Sequence, residues 1–248
     1  MPEIINLILV FLVGIVASFF SSTVGGSAMI SIPALIFLGL PPQIAIATDR
    51  LGGFGSQATS LFKFWKADKI VWKYIPLLAV VSVIGSVIGA NILLSVNPEI
   101  LQKLTGFLLL VFLPFVIFNK NIGVQHTETS KFKKTIGYIV YFFLQIFNSF
   151  FGVGTGPFFF YTLVIAFGLS MIEASATRII PLIIMAISSV IVFALHGIID
   201  YKVGIILLLG MAIGGYIGAH VALKKGNAWV KGLFAIMVIV AGIKLLFF

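Results

Sequence analysis

The sequence predicts an all-α polytopic membrane protein of about ten transmembrane helices, eight being the alternative, in two homologous repeats of inverted orientation. Three observations predict it. Of the 248 residues 60% are hydrophobic and only 9% charged, with a mean hydropathy of +1.21, whereas soluble domains carry about 25% charged residues. Apolar runs of spanning length recur along the chain. A single offset of 129 residues lays the second half of the sequence on the first.

A hydrocarbon layer of about 30 Å needs about 20 apolar residues at about 1.5 Å each. Runs at 4–20, 44–64, 74–96, 100–118, 135–151, 172–195, 203–223 and 229–248 come near that length. The first run follows Met1, Pro2 and Glu3 with no Lys or Arg ahead of it, so it lacks the basic start of a signal peptide and is expected to stay as a helix. Two shorter stretches, 27–40 and 156–168, suit either a short spanning helix or a re-entrant one.

Lysines weigh between these, with eight crossings and both termini inside as the alternative. If both short stretches cross, Lys63, Lys66, Lys69, Lys73, Lys120, Lys131, Lys133, Lys134, Lys224, Lys225 and Lys231 share one side and only Lys103, Lys202 and Lys244 oppose them, 11 to 3. If both re-enter, the split is 10 to 4. Cytoplasmic loops collect Lys and Arg, so ten crossings with both termini outside is the expectation. The net charge of +9 therefore reports topology rather than a nucleic-acid surface, since the basic residues lie in short loops beside apolar runs.

The 129-residue offset pairs Ala45 with Ala174, Ala47 with Ala176 and Thr48 with Thr177, and continues through Gly85 with Gly214, Gly89 with Gly218 and Ala90 with Ala219. It also sets Gly25 against Gly154 and Asp49 against Arg178. This reads as an internal duplication, with residues 1–119 as the first repeat, 120–134 as a polar cytoplasmic linker and 135–248 as the second. Five crossings per half would orient the halves oppositely, as in many secondary transporters.

In such folds, matched short or Gly/Pro-interrupted segments point to the binding site. Here they are Gly25-Gly26-Ser27 ahead of Pro33, and Gly152-Val153-Gly154-Thr155-Gly156-Pro157 opening the second short stretch. Helix starts at membrane depth offer free N–H groups and partial positive charge to an anion. Asp49 and Arg50 lie inside an apolar run, and Arg178 lies at matching depth in the second half with Glu173 a turn earlier. Buried charge of this kind faces a protein interior or a wet cavity. Thr48, Arg50, Thr177 and Arg178 are the expected flanks of a substrate site, the arginines as forks for oxyanion oxygens. Asp49 is a candidate proton carrier. Structural pairing of Arg50 with Asp49, or of Arg178 with Glu173, is the competing reading.

Other chemistry has no motif behind it. The chain has no cysteine, and His126, His196 and His220 are isolated, so no metal site or cofactor is expected. No nucleophile elbow, His-Glu-x-x-His or phosphate loop is present, so catalysis and ATP hydrolysis are not expected. Gly85, Gly89, Gly210, Gly214 and Gly218 at spacing four read as helix-packing faces.

The stretches "GGSAMISIPALIFLGLPPQIAIATDRLGG", "FFGVGTGPFFFYTLVIAFGLSMIEASATR" and "GGYIGAHVALKKG" resemble the TauE/SafE sulfite exporter family, and the resemblance covers nearly the whole chain. It implies a secondary transporter of small sulfur-containing anions such as sulfite, sulfoacetate or related sulfonates, working without ATP in a bacterial or archaeal plasma membrane. The family pattern falls on Gly25, Gly26, Pro33, Thr48, Gly154, Thr155, Gly156, Thr177 and Gly218. Asp49 stands where relatives often carry Asn or Ser, and its carboxylate would offset the charge of Arg50. A non-transporting scaffold and a passive anion channel are the competing classes. Assembly with further copies of the chain is compatible with all three.

Overall fold

The structure is a computed structural model that describes residues 3–94, 126–150, 152, 155–233 and 236. Among these residues the chain is helices and their connections. Helix α1 is Glu3–Val24, α2 Ala28–Phe37, α3 Pro42–Lys66, and a 3-10 turn at Trp72–Tyr74 leads into α4, Ile75–Leu93. Then come α5, Lys131–Phe150; α6, Gly156–Tyr161, prolonged by a π-helical turn at Thr162–Ala166; α7, Met171–Thr177; α8, Ile179–Leu195; and α9, Tyr201–Lys225. The expected run at 100–118, most of that at 229–248, linker residues 120–125 and Gly154 lie outside the described residues. Helix α5 starts at Lys131, so the last residues assigned to the linker are its first turn.

Local chemistry sets these boundaries. Pro42 occupies the first turn of α3, where no amide partner is needed, and Lys63 and Lys66 sit in its last turn against the negative end of the dipole. Ser170 and Glu173 form a reciprocal capping box at the start of α7. Asp200 caps α9, accepting from the Val203 N–H at 3.0 Å, and Gly226 ends it at φ 84°. The α7–α8 pair breaks at Arg178 because Pro181 cannot donate to the Thr177 carbonyl four residues back and its ring crowds that carbonyl. The equivalent of Pro181 in α3 is Gly52, and α3 runs unbroken.

Four helical stretches among the described residues are long and apolar enough to cross a membrane: Ile4–Thr23, Trp72–Leu93, Met171–Leu195 and Tyr201–Lys225. Helix α3 has 25 residues, long enough at about 1.5 Å each, but buries Asp49, Arg50, Ser56 and Ser60 along one face. Helix α2 has ten residues, which reach only about 15 Å.

The element order of α1 to α4 recurs as α5, α6, α7–α8 and α9. Pro42 and Lys66 bound α3, and Met171 and Leu195, each 129 residues on, bound the α7–α8 pair. Packing crosses between the halves: α1 lies along α9, α4 lies along α5, and α3 is held against α9 and α8. Glycine rows make this approach close, since a Cβ on Gly214 would strike the Ile15 carbonyl and one on Gly89 the Ile146 carbonyl. Matching serine pairs tie the long helices together within each half, α1 to α3 and α5 to α8. Ser22 and Ser60 hydroxyls are 2.6 Å apart, and Ser149 and Ser189, their counterparts, 2.8 Å.

Helices α1, α3 and α9 run parallel, as the contacts of Gly14 with Leu207, Gly218 with Phe19 and Gly215 with Ser56 show. Their ends bring Lys63, Lys66, Lys224 and Lys225 to one face. The start of α5 joins that face, because Lys73 and Lys134 both lie against the Tyr74 ring, at 4.9 and 5.9 Å. So does the start of α7, since the Ile172 N–H donates to Asn227 Oδ1 at 2.9 Å.

Candidate functional site

Between the halves, where α1 ends and α2 begins, lies a cavity of about 70 Å³. About 10 to 15 Å³ holds one water, so the space accommodates a few waters or one small ion. Each half supplies a helix end and a long helix: Ser21, Ser22, Gly26, Ser27 and α3 from the first, and Asn148, Gly152, Thr155, Gly156 and α8 from the second. The first-half wall is polar, with Asp49, Arg50, Ser56, Gln57 and Ser60 on one stripe of α3. The second-half wall is largely apolar, with Phe159, Ile179, Leu182, Met185 and Ala186 beside Arg178.

Both arginines are buried, 7% exposed at Arg50 and 4% at Arg178. Their surroundings differ in charge. Arg50 Nη1 lies 3.5 Å from Asp49 Oδ2, and Asp49 Oδ1 accepts from the Ser31 hydroxyl at 2.5 Å. Arg178 has no carboxylate partner among the described residues and lies over the Phe160 ring, 4.9 Å from its centroid. Glu173 is turned away, bonded to Ser170 and to His126 at 3.0 Å. The cavity therefore carries one negative and two positive side chains.

Each guanidinium also reaches across to the other half. Arg50 Nη2 donates to the Asn148 carbonyl near the end of α5, and Arg178 Nη2 donates to the Ser21 carbonyl near the end of α1. Carbonyls at a helix C-terminus carry the negative end of the dipole and favour a cation, and the Ser21 carbonyl accepts from Arg178 in addition to the Gly25 N–H at 3.1 Å. The Nε–H of both arginines is buried without a partner, as is Gln57 Oε1. A buried donor left unpaired costs about 1 to 3 kcal/mol, so these atoms call for an occupant of the cavity.

Of the residues singled out from the sequence, Gly26, Ser27, Asp49, Arg50, Thr155, Gly156 and Arg178 line the cavity. Gly25 is packed behind it, where a Cβ would stand 3.2 Å from Arg178 Nη1. Thr48 and Thr177 fasten loops of the opposite half: Thr48 Oγ1 accepts from the Asp200 N–H at 3.1 Å and Thr177 Oγ1 from the Val71 N–H at 3.0 Å. Gly154 is outside the described residues. Gly152, which opens the second Gly-rich stretch, also lines the cavity, whereas sequence reasoning passed over Ser21, Asn148 and the polar stripe Ser56, Gln57 and Ser60. The stripe was there to find, as polar residues three and four apart from Asp49 onward in an apolar segment.

A family model described as Sulfite exporter TauE/SafE matches residues 10–245. The chain is 28% identical over 231 residues to a probable membrane transporter protein of Haemophilus influenzae, covering 93% of this chain and 91% of the relative. It is 29% identical over 239 residues to the probable membrane transporter protein ORF9 of a Sinorhizobium species, covering 95% and 90%. It is 23% identical over 237 residues to the probable membrane transporter protein YfcA of Escherichia coli, covering 96% and 88%. No solved structure matches the chain. The match along nearly the full length identifies this multi-pass integral membrane protein as a member of the TauE/SafE sulfite exporter family, a membrane transporter rather than an enzyme.

Proposed function

We propose that the protein is a secondary transporter of small sulfur-containing anions, sulfite, sulfoacetate or related sulfonates, by alternating access of the cavity between its two repeats. The observation that carries the reading is Arg178, a buried cation without a carboxylate partner among the described residues, facing a cavity with a second arginine. A guanidinium matches an oxyanion edge with two parallel donors. Ser27 and Thr155 supply further polar groups around the same space. Asp49 leaves Arg178 as the stronger anion partner and is the group that would carry a proton in a coupled cycle.

Helix directions support the inverted relation and the ten-crossing reading. Helices α1 and α3 end at the lysine-rich face, whereas their counterparts α5 and α7 begin there. The same face holds both the end of α3 and the end of α9, as ten crossings require. One observation favours a purely structural role for the arginines, namely their bonds to the carbonyls of Asn148 and Ser21. The unpartnered Nε groups favour a ligand.

The test is uptake into proteoliposomes of labelled sulfite, sulfoacetate, sulfate and a carboxylate control, with and without a pH gradient. Saturable uptake of one sulfur anion, with counterflow, is expected, and Arg178→Ala should abolish it. Non-saturating flux without counterflow would make the protein a channel. Absence of flux, with the variant only less stable, would make the arginines structural. Asp49→Asn is expected to abolish the effect of the pH gradient while preserving exchange, and an unchanged gradient response would remove Asp49 from coupling.

A further inference from the structure

The reciprocal bonds of the two arginines are matched by a pair of glycines that the transport reading leaves unexplained. Helices α1 and α5 end in equivalent turns, with Gly25 at φ 86° after the first and Gly152 at φ 76° after the second. These turns correspond at 127 residues rather than 129, as do the acceptor carbonyls, Ser21 and Asn148. A Cβ built on Gly152 would collide with Arg50 Nη2. One built on Gly25 would stand 3.1 Å from Gly156 Cα and 3.2 Å from Arg178 Nη1. The hollow beside Gly152 is therefore filled by the Arg50 guanidinium, and the one beside Gly25 is shared by the Arg178 guanidinium and the Gly156 backbone, in both cases groups of the other half.

We propose that Gly152 and Gly25 are positioning residues of the transport site. Each forms, with the helix-end carbonyl four residues before it, a seat that fixes the opposite half's arginine with its Nε–H directed into the cavity. This rests on the anion-transport reading of the cavity. Glycine is required on two counts: L side chains rarely adopt these φ values, and the space a methyl group would need is taken, by the Arg50 guanidinium at Gly152 and by the Gly156 backbone with Arg178 Nη1 at Gly25. Both seats span the boundary between the halves, so the arginine geometry depends on the halves being in register. The seats are unequal. Arg50 shares its charge with Asp49, whereas Arg178 does not, so displacing Arg178 should cost more binding than displacing Arg50.

The test uses the full chain in proteoliposomes with labelled sulfite and sulfoacetate, together with thermal unfolding in detergent. Gly152→Ala is expected to raise KM about tenfold, the scale of one charge-assisted hydrogen bond, with Vmax per folded molecule little changed. Adding Arg50→Lys, which removes the colliding Nη2, should recover part of that loss. In thermal unfolding, Gly152→Ala should lower Tm in the native background and much less beside Arg50→Ala, because the collision needs the guanidinium. Unchanged KM in Gly152→Ala, where Arg50→Lys alone raises it, would overturn the proposal. Additive Tm shifts would overturn it too, since they would leave only backbone strain. Should neither anion be taken up by the native protein, the anion reading fails by itself, and the thermal cycle still decides whether the seat exists.

Discussion

At the scale of single residues, the offset pairs Thr48 with Thr177, and the structure gives the two threonines one job. Each accepts an amide from the loop of the opposite half, Asp200 to Thr48 and Val71 to Thr177. Spacing placed both threonines beside the arginines but could not say which way they face, because neighbouring positions on a helix point about 100° apart. Thr177→Val is expected to lower stability by about 1 kcal/mol, the net worth of one hydrogen bond, with KM for the transported anion unchanged. Thermal unfolding and uptake on the same preparation check this. Arg178→Ala should do the reverse, with transport lost before the fold is. The equivalence of Ser21 and Asn148 was hidden for a simpler reason. Five residues separate α5 from α6 and three separate α1 from α2, so a single offset cannot match both the helix ends and the helices that follow.

At the scale of elements, hydropathy located the helices well and their polar faces poorly. Helices α1, α4 and α9 appear where unbroken apolar runs require them. The break inside the run at 172–195 follows from Pro181, which was visible in the sequence, but only the structure places the resulting turn at Arg178, where the guanidinium enters the cavity. The small-residue rows read as packing faces are contact faces between halves. Gly214 meets Ile15 and Gly89 meets Ile146, each at a backbone carbonyl. Gly214→Leu and Gly89→Leu are therefore expected to reduce the folded yield of purified protein severely, because overpacking of even a few methyl groups costs about 1 to 3 kcal/mol and here the obstacle is backbone. Gly226→Ala, at a helix end with no atom within 4 Å of its Cβ position, should cost only its φ strain. Comparable yields from Gly226→Ala and Gly214→Leu would argue against the close-packed seam.

At the scale of the whole molecule, the halves exchange partners so that the cavity lies on the seam, lined from both sides. The chain lacks cysteine, so single cysteines report its topology cleanly. Lys66→Cys and Asn227→Cys are expected to label with an impermeant maleimide from one side of the membrane, and His196→Cys from the other. Labelling of Asn227→Cys from the face opposite to Lys66→Cys would contradict the helix directions described above. Single cysteines also test the central claim, that one small anion occupies the cavity between the repeats and is held there by Arg178. The most direct measurement is the rate of maleimide labelling of Gln57→Cys, whose side chain lines that cavity, with and without the anion that proteoliposomes take up. The account predicts that the anion slows labelling with the same half-saturation as uptake, and that Arg178→Ala removes the protection. A labelling rate unchanged at anion concentrations that saturate uptake would place the site elsewhere and contradict the account.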